Sequence, residues 1–147
     1  MKKILFAVVL GLVSVAASAS VDSGTRFLSE LADKAVLTMN NHRVTQVDSS
    51  GCTVTFYWGE KSWLELDFSD VAAIELHTGS INITGPTNGH HNVPYLDDNS
   101  NTVNESKRFS GSRIQLTSSV DSFIPDIERA VRSMAADCGA HIPHFTE

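Results

Sequence analysis

The sequence predicts an α+β fold: a curved antiparallel sheet or partial barrel of five to six strands, with an N-terminal helix and a closing C-terminal amphipathic helix. Three observations carry this prediction. Apolar residues recur at three- and four-residue steps near both ends, the middle alternates with a period of two, and short turns join the alternating segments. Short connections favour antiparallel hairpins, because parallel strands need crossovers of a dozen residues or more.

The first segment stands outside that fold. It begins with Lys2 and Lys3, runs through the almost wholly apolar Ile4 to Ala17, and ends in Ala17-Ser18-Ala19. Charge, apolar run and small-x-small triplet make a bacterial export signal, with cleavage expected before Ser20. A spanning helix needs about 20 apolar residues, more than this run offers. No cysteine follows the cut to carry a lipid, so no membrane anchor is expected. Residues 1–19 are read as a signal peptide and 20–147 as one periplasmic or secreted domain, a length that supports a single modest core.

Asp22 to Asn40 reads as a helix, with Phe27, Leu28, Leu31, Ala35 and Met39 on one face. Asp22 or Ser23 can cap it and Asn40-Asn41 can end it. The period then changes to two. Strands are expected at Arg43 to Val47, at Cys52 to Trp58, around Leu64 to Phe68, at Ile74 and Leu76, and at Ile81 and Ile83. In the second of these, Cys52, Val54, Phe56 and Trp58 face one way and Thr53, Thr55 and Tyr57 the other. In the third, Leu64, Leu66 and Phe68 alternate with Glu65 and Asp67.

Residues 85–107 break this rhythm with Gly, Pro, Asn, Asp and Ser. Connections beyond about 15 residues are uncommon inside compact domains and are usually functional or disordered. A long polar, mobile loop is expected here, pinned by Tyr95 and Leu96. A strand from about Arg108 to Thr117 follows, with Ile114 and Leu116 inward. The closing helix is capped at Ser122, tolerates Pro125 in its first turn, and carries the stripe Ile124, Ile127, Val131, Met134 and Cys138 before Gly139 stops it.

Cys52 and Cys138 are the two cysteines of the chain. In an oxidising compartment a disulfide is favoured, and it would clamp the closing helix to the sheet. The alternatives are a free thiol nucleophile or half of a metal site. The stretches Trp63-Leu-Glu-Leu-Asp-Phe-Ser-Asp-Val and Ile127-Glu-Arg-Ala-Val, the latter leading to Ala-Asp-Cys138-Gly139, resemble uncharacterised bacterial exported domains of pleckstrin-homology-like fold. The resemblance spans about 25–140. It implies a curved sheet capped by a helix and no particular activity, because such folds serve unrelated binding roles.

The formal net charge is −6, and the leader would take Lys2 and Lys3 away with it. An acidic domain is poorly suited to nucleic acid or anionic membrane surfaces and well suited to a basic protein partner. Asp22-Ser23-Gly24-Thr25 copies an aspartic-protease tetrapeptide, but that chemistry needs two such loops and this one runs into a helical pattern. His90-His91 with Asp97 and Asp98, or His141 with His144, could ligate zinc or copper; solvated segments explain the same residues. No GxSxG, HExxH or phosphate-binding glycine loop occurs. Neither catalytic residues, a metal nor a cofactor is therefore assigned.

The expected function is a non-enzymatic periplasmic binding domain, in its most concrete form an inhibitor or immunity protein against a basic cell-wall hydrolase. Its expected binding residues are Tyr57, Trp63, His90, His91, Tyr95, Asp97 and Asp98. Tyr57 and Trp63 are out of phase with the apolar faces of their strands, so a hairpin would form an aromatic platform for a sugar or a protein. The alternatives are a small-molecule or lipid binder with a cavity between sheet and helix, and a hydrolase using the loop histidines.

Overall fold

The computed structural model describes residues 20–96 and 98–143. The expected signal peptide, Asp97 and His144 lie outside the described residues. Helix α1 covers 20–33. It is followed by β1 (Leu37–Met39), β2 (His42–Arg43), β3 (Gln46–Ser50), β4 (Thr53–Trp58), β5 (Ser62–Asp67), β6 (Ala73–His77), β7 (Ser80–Leu96), β8 (Thr102–Ser118) and α2 (Ile124–Asp137). The class is α+β, as the sequence predicts.

The N-terminal helix is shorter than its expected span of 22–40. Ala35 takes a left-handed φ of 60°, and Asn40 and Asn41 do so at 47° and 66°. Asparagine tolerates that region well, so Asn40-Asn41 turns a tight hairpin between β1 and β2 instead of ending a helix. Met39 is buried as expected, but from a strand. Asp22 and Ser23 lie inside α1 rather than capping it.

Eight antiparallel strands among the described residues form one sheet, in the order β2-β1-β8-β7-β5-β4-β3 with β6 also paired to β7. Val44 donates its backbone N–H to Leu37 O (3.0 Å) and Thr45 to Tyr57 O (2.8 Å). Those two bonds tie one end of the strand order to the other, and the sheet curls into a half-barrel. The count exceeds the expected five to six because β1 was hidden in the helical pattern and Arg43 to Val47 divides into β2 and β3.

The expected polar loop at 85–107 is the largest correction. Those residues form most of a hairpin of two 17-residue strands, paired from Ser80↔Thr117 to Leu96↔Thr102. Gly85-Pro86 does not end the strand; it marks a bulge between Thr84 and Thr87. A bulge accommodates an extra residue and bends the strand. Gly85 also packs closely, since a Cβ there would lie 3.2 Å from Val71 Cα.

The core lies within the curl. Val54, Phe56 and Trp58 of β4 are buried, as are Leu64 and Leu66 of β5, Ile81 and Ile83 of β7, and Ile114 and Leu116 of β8. Helix α2 covers them with Ile124, Ile127, Val131, Met134 and Ala135. Its N-cap is Phe123, without a side-chain hydrogen bond, so Ser122 is not the cap. Leu76 departs from the expected alternation and is 51% exposed near the end of β6. Arg132 fixes α2 to that strand by donating to Ile74 O at 3.0 Å. Cys138 at the end of α2 bonds Cys52 in the turn before β4, with Cα atoms 5.9 Å apart. Helix and sheet are covalently stapled.

Candidate functional site

Register on the outer face brings three of the expected binding residues together. Tyr57 of β4 is the Cα partner of Trp63 of β5, and Trp63 is the partner of His90 of β7. All three are partly exposed. The Trp63 and His90 rings stack with centroids 6.4 Å apart and planes 19° from parallel. His90 Nδ1 lies 3.2 Å from Lys61 O. A carbonyl only accepts, so Nδ1 is the donor in this contact. The next row along the strands is polar: Thr55, Glu65 and Asn88 are partners in turn. Asn88 Nδ2 donates to Glu65 Oε1 at 3.5 Å. Thr53, Glu65, Asp67, Pro86, Thr87 and Asn88 line a shallow hollow of about 210 Å³ beside this row.

His91 belongs to a different place. Successive strand residues point to opposite faces, so His90 is outward and His91 inward. His91 meets Trp58 edge-on at 5.6 Å and His42 at 4.9 Å, and His42 stacks on Trp58 at 5.2 Å. The His90-His91 pair therefore cannot close on one metal ion or serve one catalytic centre. His141 is exposed in the C-terminal segment. Among the described residues no group of three or more His, Cys, Asp or Glu is placed to hold a metal.

The inner cluster has a consequence for stability. His91 titrates below the 6.5 of a free imidazole, chiefly because burial disfavours its charged form, and then because His42 and Lys107 repel a proton there. Between about 6.5 and the lowered folded value, the unfolded chain holds the proton and the folded chain does not. Stability is thus full above that window and falls as the pH drops through it. Thermal unfolding followed from neutral to mildly acid pH should show a falling midpoint, and His91→Gln should make the fall shallower. An unchanged slope in the variant would remove His91 as the cause.

The remaining expected residues spread along the β7–β8 hairpin. Tyr95 pairs with Val103, and Asp98 is exposed in the turn between the strands. Asn92 anchors the arm at its base, where its N–H donates to Ser62 Oγ (2.8 Å) and its Nδ2 to Glu60 O (3.2 Å). Beyond Asn92, β7 has no partner strand except β8 among the described residues.

Asp22-Ser23-Gly24-Thr25 carries no loop chemistry, because it lies within α1. Gly24 is there for packing: a Cβ would come within 2.3 Å of Met134 Sδ on α2. His42, Glu65 and Asn88 were not among the expected site residues. His42 follows a segment whose pattern reads as helix, and Glu65, which with Asp67 could suit glycoside chemistry, reads more simply as the wet side of a half-buried sheet. Comparison of the chain with protein-family models, curated proteins and solved structures gave no match.

Proposed function

We propose that this chain is an exported, non-enzymatic binding domain that recognises another protein through the β7–β8 arm. The observation that carries this reading is the arm itself, a paired two-stranded projection rooted by Asn92 and tipped by an exposed turn. A ladder of backbone hydrogen bonds holds the arm in one shape before any partner arrives. Preorganisation of this kind lowers the ordering cost of binding. The Cys52–Cys138 staple suits an oxidising compartment outside the cytoplasm, and the leader at 1–19 supplies the route. No helix among the described residues is long and apolar enough to cross a membrane.

The partner that fits best is a basic protein, because the chain carries a formal charge of −6 and opposite potentials steer encounter. A cell-wall hydrolase of lysozyme type is the most concrete candidate, with this domain as its inhibitor or immunity partner. A lipid or small-molecule binder would need space between α2 and the sheet, where Ile81, Ile83, Ile127, Val131 and Met134 are fully buried. A hydrolase built on both histidines would need them on one face.

Residues 20–147 should bind at least one member of a panel of basic lysozyme-like enzymes in calorimetry at low salt. Replacing 97–101 by a tight Asn-Gly turn should weaken that binding by about tenfold or more, since a hot spot contributes upwards of 1.4 kcal/mol. Silence across the whole panel, or a shortened tip that binds equally well, would overturn the proposal.

A further inference from the structure

The geometry points to a second binding site, a saccharide platform on the outer face of the sheet. Tyr57, Trp63 and His90 supply the stacking surface, and Glu65, Asp67 and Asn88 receive the hydroxyl groups. Three features on three strands make the site.

The first is the aromatic row. Neighbouring strands lie about 4.8 Å apart, so Tyr57 to His90 spans about 10 Å across the strands, enough for two sugar rings end to end. The Trp63 and His90 rings stack with planes 19° from parallel, and Tyr57 is the register partner of Trp63 on its other side. A pyranose ring presents a flat face of C–H groups and a rim of hydroxyls. The face suits a flat aromatic surface, which is apolar in its body and polar at its edge.

The second is the polar row beside it. Side chains on one strand face repeat every second residue, so Glu65 and Asn88 flank Trp63 and His90 on the same face. The Glu65 carboxylate accepts from Asn88, which sets an acceptor and an amide side by side. That arrangement can take two adjacent hydroxyls at once, one donating to the carboxylate and the other accepting from the amide. Asp67 is held by the N–H and hydroxyl of Ser69 through Oδ1, so its carboxylate is oriented before a ligand arrives.

The third is the hollow between Glu65, Asp67, Pro86 and Asn88. The Gly85-Pro86 bulge borders it, and bulges recur beside sites where a strand must re-aim its side chains. At about 210 Å³ it is below the usual range for a drug-sized ligand and suits a ring substituent of a longer chain. The occupant is therefore an oligosaccharide lying across the strands, its rings on the aromatic row and its hydroxyls towards the carboxylates. Aromatic side chains edged by a paired carboxylate and amide favour that ligand over a protein, which would bring a convex apolar anchor for a deeper pocket.

The test uses residues 20–147 with linear hexamers of N-acetylglucosamine, β-linked glucose and α-linked glucose. Calorimetry and tryptophan fluorescence are recorded at low and high salt. At least one hexamer should bind, with little change on adding salt, because uncharged sugars make no screened contacts. Trp63→Ala should weaken it by about tenfold or more while Trp63→Tyr retains most of it. Glu65→Gln and Asn88→Ala should each cost several-fold, and the arm with its shortened turn should bind sugar as before. Unfolding curves for each variant separate loss of the site from loss of the fold. The proposal is overturned if no hexamer binds, if Trp63→Ala binds equally well, or if binding collapses with salt. It is equally overturned if Trp63→Ala abolishes capture of a protein partner while the sugars never bind.

Discussion

Removing the Cys52–Cys138 staple is expected to cost the fold about 4.5 kcal/mol. The bond joins positions 86 residues apart, and in the chain-entropy model a loop of that length restricts the unfolded ensemble by about that amount. For a domain of this size the corresponding fall in midpoint is roughly 15 °C. The double variant Cys52→Ala/Cys138→Ala should reproduce what reductant does to the wild type, without leaving a reactive thiol. Urea unfolding should show the loss as a lower midpoint, with a change in slope from the freed unfolded chain. A variant as stable as the oxidised protein would mean that packing of α2 onto the sheet, not the covalent bond, holds the two layers.

The second large effect is expected at Phe56. It is fully buried in β4 between Val47 of β3 and Leu64 of β5, its partners in register. Phe56→Ala removes a whole ring from a closed core, and such truncations cost about 3–5 kcal/mol. The neighbouring Tyr57→Ala should cost less than about 1 kcal/mol, because that ring stands on the outer face and leaves no cavity. Measuring both tests the register directly, since a one-residue slip would exchange their roles. Equal losses from the two variants would reject the inward placement of Phe56.

The elements that bury one face were legible in the sequence. Val54, Phe56 and Trp58 in β4 and Leu64 and Leu66 in β5 alternate because one side meets the core and the other meets water. The α2 stripe was visible for the same reason at the helical period. The Cys52–Cys138 pairing followed from compartment and count. What escaped is backbone whose side chains need no apolar pattern. The outer part of the β7–β8 hairpin stands beyond the neighbouring strand among the described residues, so no core imposes an apolar alternation on it and its composition imitates a loop. Gly85-Pro86 reads as punctuation, yet the strand absorbs it as a bulge. Leu37 and Met39 satisfy a strand as readily as the end of a helix, and only the left-handed Ala35, Asn40 and Asn41 decide between them.

The same limits explain the site. Tyr57 and Trp63 could be placed on the outer face because their phase is wrong for the core. His90 and His91 were grouped by adjacency, which has meaning in a loop and the opposite meaning in a strand, where neighbours part to opposite sides. Nothing local to His42 announces that it will stack on Trp58, since that contact depends on how the sheet curls.

The long hairpin also sets a timetable for assembly. Its two strands are neighbours along the chain, so closing it costs little loop entropy, and hairpins form within about 1–10 μs. The β1 ladder with β8 and the sulfur bridge must instead gather segments from opposite ends of the domain. Thiol oxidation takes seconds to hours. The folding chain thus raises its arm at once and receives its covalent lock last, after the sheet that positions the two sulfurs is already laid down.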